Sequence, residues 1–465
     1  MKKYSILNFG GKGDGQQDES VAIQSAIDSC TQNGGGMVFI PSGLTFLSGP
    51  FYLKSDVTLC VEKGAKLIAN PDESVYTESA FRDNKGEGTI WIGGEDIKNV
   101  SITGGGVIDG NGIAFMGPEE KEAYVLKPFD MIDPRPHLLT LVNVKNISIH
   151  NITFKNAAYW GLHFIGCKNV LISDIFLFNS LKIRNGDGID LDHSQNVNIS
   201  NCHIESGDDC ICFKNRREYA EFGPCSDITV TGCTLTSTSC AIKFGSENMD
   251  AIKNVVINNC IIKNSNRGIG IQNRDEGTVS NVLISNIILD CRLFGDVWWG
   301  KAEPIYITAF PRDNHHAKDA GVRLPKGATR GKVGKVSDIF FSNIRCTSEN
   351  GIFLGAENPS KISNIRFKDV SIHLNKTTRY KGGLYDCRPC ESEDMVMDDT
   401  SGFYLLNVSN TSIKDCQLTW GKNKPAYYKG GIKIVNSEAT KIENYDFPIV
   451  NPNSETILHP KQITS

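Results

Sequence analysis

Two short runs of the chain gather three aspartates. They are Asn185-Gly186-Asp187-Gly188-Ile189-Asp190 and Ser206-Gly207-Asp208-Asp209-Cys210, with Asp187 and Asp208 21 positions apart. Carboxylates held close together repel, so at least one of them should have a raised pKa. That would set an acid that keeps its proton beside a base that lacks one. Paired carboxylates flanking a scissile bond are what glycoside hydrolysis requires. The chemistry depends on a fold that superimposes two runs separated by a full loop of chain.

An internal repeat supplies that fold. Ten segments begin with Asn or Asp, continue as a short alternating strand, and turn at Asn, Asp or Gly. They start at Asn99, Asn146, Asn169, Asn196, Asp227, Asn254, Asn281, Asp338, Asn364 and Asn410. From Asn146 to Asn281 the steps are 23, 27, 31, 27 and 27 residues. Short strands at such a period read as a parallel β-helix, all-β, each coil rising about 4.8 Å. Six positions after the start stand Ile152, Ile175, Cys202, Cys233, Cys260, Ile287, Ile344, Val370 and Cys416, an interior column. One position earlier stand Asn, Asp or Gly, which tolerate the left-handed backbone of a tight bend.

A second strand in each coil aligns by its interior pairs, Leu162/Phe164, Ile189/Leu191, Ile211/Phe213, Ile242/Phe244, Ile269/Ile271 and Ile305/Ile307. Alternation then points His163, Asp190, Cys212, Lys243, Gly270 and Tyr306 outward. Two residues ahead of each pair stand Trp160, Asp187, Asp209, Cys240, Arg267 and Glu303. Asp187 and Asp209 therefore share one register in neighbouring coils, with Asp208 adjacent. Lys214, Lys243 and Arg267 border this acidic strip and suit an acidic ligand. Trp160 and Tyr306 offer flat faces for sugar rings, and His163, Asn185 and Glu303 complete the expected substrate-binding set.

Composition narrows the classes. With 49 Lys+Arg against 53 Asp+Glu the net charge is −4, unlike a duplex-coating nucleic-acid binder. No apolar run is long enough to span a bilayer, so no membrane partner is expected. Met1-Lys2-Lys3 is followed by no apolar stretch, so no signal peptide is read. The chain would be cytoplasmic if that is its true start, and extracellular or periplasmic if a leader was removed. One domain over 1–465 is expected. Residues 1–70 would form the N-terminal cap and first coils, with a capping helix around Ser20–Asp28 ended by Gly34-Gly35-Gly36. A break in the period leaves a long loop at about 309–337. Most of the 15 cysteines read as reduced structural thiols, and the lone CxxC at Cys387 and Cys390 is too weak to claim a metal. No metal or other cofactor is expected, and oligomeric state is not readable.

The two aspartate runs resemble the Asn-Thr-Asp-Gly and Gly-Asp-Asp motifs of the polygalacturonase and rhamnogalacturonase family, glycoside hydrolase family 28. Leu7-Asn8-Phe9-Gly10-Gly11-Lys12-Gly13-Asp14-Gly15 with Ala22-Ile23-Gln24 is similar to the opening of pectin-active β-helix proteins. The resemblance implies a right-handed parallel β-helix of the pectin-lyase-like type. It also implies a hydrolase of galacturonate-containing pectic poly- or oligosaccharide, acting with inversion. Asp208 would be the general acid, and Asp187 and Asp209 would position and deprotonate the water. The family's Gly-His-Gly falls on Ser239-Cys240-Ala241 and its Arg-Ile-Lys on Gly270-Ile271-Gln272, so the usual histidine and cations are absent. Lys243 and Arg267 would replace them, which favours a divergent branch. Two rivals stay open: a pectate-lyase-like β-eliminase, needing Ca²⁺ and a cationic base, and a non-catalytic carbohydrate-binding or tailspike-like β-helix. A hydrolase of a non-pectic glycan is a third.

Overall fold

The computed structural model describes residues 2–83, 87–127, 133–295, 298–312, 331–388 and 395–445, and two short strands, Ile449–Val450 and Ile457–Leu458. The chain folds as a parallel β-helix whose contacts divide into two compact units. The first comprises Met1–Cys212, Glu221–Gly223 and Asp227–Cys233; the second comprises Phe213–Ala220, Pro224–Ser226 and Thr234–Ser465. No helix among the described residues is long and apolar enough to cross a membrane.

Bends are where the sequence pattern meets backbone physics. All ten residues that start the repeats have positive φ, between 48° and 61°. The nine bend residues ahead of the interior column do too, Asn151, Asp174, Asn201, Gly232, Asn259, Asn286, Asn343, Asp369 and Asp415, at 49° to 66°. Most other side chains resist that region by about 1–2 kcal/mol per residue. Tolerance is only half of the reason for Asn. The side chains also stack as amide ladders, Asn169 Nδ2 donating to Asn146 Oδ1 at 2.9 Å and Asn146 Nδ2 to Asn99 Oδ1 at 2.9 Å. In the second unit Asn343 donates to Asn286 at 2.8 Å and Asn286 to Asn259 at 3.1 Å. The interior column from Ile152 to Cys416 is buried throughout, each large aliphatic side chain contributing about 1.5–3 kcal/mol of burial.

In the first unit the helix Ser20–Gln32 covers the earliest coils with Ala22, Ile23, Ala26, Ile27 and Cys30 buried. Val21 lies on its outer side, 76% exposed. One sheet stacks Lys98–Thr103, Lys145–His150, Lys168–Ser173 and Gln195–Ser200 in parallel. The other stacks Phe51–Tyr52, Thr89–Glu95, Pro136–Val142, Leu162–Ile165 and Ile189–Asp192. Its register pairs Leu162 with Ile189 and His163 with Asp190, as the interior pairs predict. In the second unit the corresponding sheet runs Cys240–Asn248, Arg267–Asn273, Ile305–Ala309, Ile352–Ala356, Thr400–Leu406 and Tyr428–Val435. There Lys243 faces Gly270, and Gly270 faces Tyr306.

The outward column differs from expectation. His163, Asp190 and Cys212 are fully buried, and so is Tyr306. In the first unit Phe81 lies against His163, ring centroids 6.3 Å apart. In the second, the antiparallel hairpin Leu384–Asp386 with Met395–Met397 brings Tyr385 and Cys387 over the sheet. They close an apolar cluster with Tyr306, Phe310, Phe353 and Tyr404. Of the expected loop at 309–337, residues 313–330 lie outside the described residues. Arg312 just before them is buried and paired with Asp275 at 2.9 and 3.0 Å.

Candidate active site

Asp187 and Asp209 stand at the bends that lead into consecutive strands, and backbone hydrogen bonds fix their relation. Gly188 N–H donates to Asp209 O at 2.8 Å, and Ile189 N–H to Cys210 O at 2.9 Å. One coil earlier, Gly161 N–H donates to Asp187 O at 2.9 Å. The motif glycines are where these coils touch. A Cβ on Gly188 would stand 2.3 Å from Cys210 O, and one on Gly207 would stand 2.2 Å from Ile183 O. Asp208 follows in the same turn, its N–H donating to Ser206 Oγ at 3.2 Å.

The three side chains converge: one carboxylate oxygen from each of Asp187, Asp208 and Asp209 lies within 4.8 Å of the others. Asp187 and Asp209 are 2% and 1% exposed, whereas Asp208 is partly exposed. The cluster therefore opens to solvent at Asp208. Three carboxylates this close could also hold a cation, and theirs is the one such His/Cys/Asp/Glu group found among the described residues.

Three supporting residues were not read from sequence. Buried Asn179 donates to Asp187 O at 2.9 Å and Gly186 O at 3.2 Å, while its Oδ1 accepts from Ala157 N–H at 2.9 Å. Ser206 Oγ lies 2.7 Å from Gly186 O and 3.0 Å from Asp209 O, bridging the two runs. Arg135, fully buried, holds Arg184 O at 2.8 Å and Ala158 O at 2.8 Å, and reaches Asn185 Oδ1 at 3.5 Å. Asn185 itself sits at φ 58°, in the left-handed region, two residues ahead of Asp187. A buried polar residue at a strand end leaves no periodic trace, so Asn179 and Arg135 carried no signal.

Several expected sugar contacts are packed away. Trp160 is 5% exposed, its ring 5.2 Å from Phe81 and 4.8 Å from His163, and so offers no open face. His163 is buried with Nε2 3.7 Å from Asp192 Oδ2. In the second unit Arg267 and Glu303 form a buried ion pair, with Nε–Oε2 and Nη2–Oε1 both 3.3 Å. Burial works against the Arg267 charge, yet Glu303 raises its pKa above the usual value. The Arg267 guanidinium covers the Tyr306 ring at 3.5 Å, and Tyr306 Oη donates to Asp386 O at 2.6 Å. Both ends of Tyr306 are thus occupied, and the expectation of a sugar platform there is corrected.

Lys214 and Lys243 have a different setting. Lys214 Nζ lies 3.9 Å from Glu247, a carboxylate that sequence reading passed over. Burial would raise the Glu247 pKa, but Lys214, Arg312, Arg216 and Lys243 hold it well below the carboxylate range. This is a cation-rich patch organised around one acid. The cysteines of the described residues are all free thiols, and burial pushes Cys167 up to about 12; Cys390 lies outside the described residues.

A β-helix with clustered carboxylates at a coil bend defines a class, and comparison supplies the family. Residues 30–382 match glycosyl hydrolases family 28, and the chain belongs to that family. It is 31% identical over 290 residues to a probable polygalacturonase of Vitis vinifera, covering 58% of this chain and 56% of that one. Its identity to an endo-polygalacturonase of Pectobacterium carotovorum subsp. carotovorum is 25% over 368 residues, 77% of this chain and 85% of the other. The chain spans about half the length of the grapevine and tomato relatives it matches, 56% in each case. Among solved structures, the family 28 exopolygalacturonase of Yersinia enterocolitica superposes with TM-score 0.67 at 20% identity, over 96% of this chain and 78% of that one. The fold is the right-handed parallel β-helix.

Proposed function

We propose that the protein is a glycoside hydrolase acting on galacturonate-containing pectic poly- or oligosaccharide, with Asp208 as general acid. The observation that carries this is the convergence of three carboxylates from two coils within 4.8 Å. Asp208, the most exposed of the three, would protonate the leaving oxygen, and Asp187 and Asp209 would orient and deprotonate water. Polygalacturonase names among the relatives support the substrate class.

Inversion follows from the family rather than from the spacing. Generic inverting glycosidases separate their carboxyl groups by about 6.5–9.5 Å to seat the water, and retaining ones by about 5–5.5 Å. Oxygens within 4.8 Å suit a water held by two neighbouring acids on one side. The test is a screen of homogalacturonan, rhamnogalacturonan and xylogalacturonan oligosaccharides, with products separated by size. Cleavage that survives EDTA and gives no unsaturated, ultraviolet-absorbing product is expected. Loss on chelation with such a product would instead mark a β-eliminase.

A further inference from the structure

The column of residues that leads into the second sheet of the first unit reads His137, Trp160, Asp187, Asp209 towards later coils. Groove space beside Asp187 on the earlier side would have to pass over Trp160 and then His137. That path is filled. Phe81, 2% exposed, sits with its ring 5.2 Å from Trp160 and 5.2 Å from His137. Tyr159 stacks on His137 at 5.1 Å, and His163 closes the floor at 4.8 Å from Trp160.

A second segment clasps the first. Phe222 packs on the backbone of Gly166, where any Cβ would stand 2.3 Å from its ring. Gln195 Nε2 donates to Phe222 O at 2.9 Å, and His193 Nδ1 contacts Gly223 O. Arg82, next to Phe81, forms an ion pair with Glu221, next to Phe222. The ion pair is exposed and adds little by itself. The half-buried Phe222 ring on Gly166 and the Gln195 hydrogen bond set the position of the clasp.

We propose that this aromatic plug makes the catalytic groove blind on the side of the earlier coils, so that the enzyme removes short units from a chain end instead of cutting internally. The inference rests on the hydrolase reading and deepens it. Relatives named both endo- and exopolygalacturonase match the chain, so family membership leaves the mode open.

The test follows homogalacturonan hydrolysis from the first time points by chromatography and viscometry. A blind groove releases one small product from the start with little loss of viscosity. Phe81→Ala and Phe222→Ala, checked for folding by circular dichroism, should raise the share of mid-sized oligomers several-fold, and Phe81→Trp should not. A wild-type ladder of mid-sized oligomers with early viscosity loss overturns the plug, whether or not the variants fold. Binding of Asp208→Asn to long homogalacturonan reads the same feature without catalysis. A plugged groove binds one protein per chain, and several per chain would overturn it. If folded wild type cleaves no pectic glycan while stoichiometry stays at one per chain, the hydrolase reading fails and the plug stands.

Discussion

Both units carry charged side chains at the bend before the second-sheet strand, and they use the position in opposite ways. In the first, Asp187 and Asp209 stand in consecutive coils beside Asp208, so like charges are crowded within 4.8 Å. In the second, Arg267 and Glu303 occupy the same position in consecutive coils and neutralise each other in a buried pair. One scaffold therefore offers the position, and the choice of residue decides between tension and satisfaction. Crowded carboxylates destabilise a fold and are retained for chemistry; a satisfied buried pair fixes a packed layer.

Substitutions can break this contrast. The largest effect is expected for Asp208→Asn, which removes the proposed proton donor. Activity on every pectic substrate should fall about 10²–10⁴-fold in kcat, the usual contribution of general acid catalysis. Asn keeps the size of the protonated acid and adds no charge, so the melting midpoint should stay within experimental error of the wild type, and a large drop would show that Asp208 is structural. Glu303→Gln should do the reverse. Stranding the buried Arg267 charge should lower stability in urea by about 3–5 kcal/mol, and a shift inside experimental error would show that the pair is not structural.

Smaller effects probe the scaffold. Asn286→Ala interrupts a ladder and places Ala at φ 57°. A loss of about 1–2 kcal/mol in urea unfolding is expected, most of it from the left-handed backbone, and Asn286→Gly should recover most of it. The mildest concerns acid stability. The Glu247 carboxyl is held below its ordinary value, so its contribution is fully present above the unfolded value of about 4.3 and fades as pH falls towards the folded one. Glu247→Gln should flatten the stability curve below pH about 4.3 while leaving its shape above that range intact. An unchanged acid limb would sink the cation patch as a stabiliser of that charge.

The periodic part of the molecule was legible in the sequence. Repeated Asn and Asp marked both bend columns, and paired apolar residues fixed the register that superimposes Asp187 and Asp209. Short-range alternation carries that information. What covers the outer face was not legible. Phe81 reaches His163 and Tyr385 reaches Tyr306 from segments many residues away, outside any period. Trp160 and Tyr306 therefore read as exposed sugar platforms and are packed. Asn179 and Arg135 act through hydrogen bonds to backbone carbonyls that no spacing announces.

The central claim is that three carboxylates from adjacent coils deliver water and a proton to one sugar linkage. Time-resolved NMR of the first turnovers on a pectic oligosaccharide tests it most directly. The new reducing end should emerge as the anomer opposite to the linkage cleaved, before mutarotation mixes the two. Emergence of the same anomer, or no cleavage by correctly folded protein, would contradict the assignment.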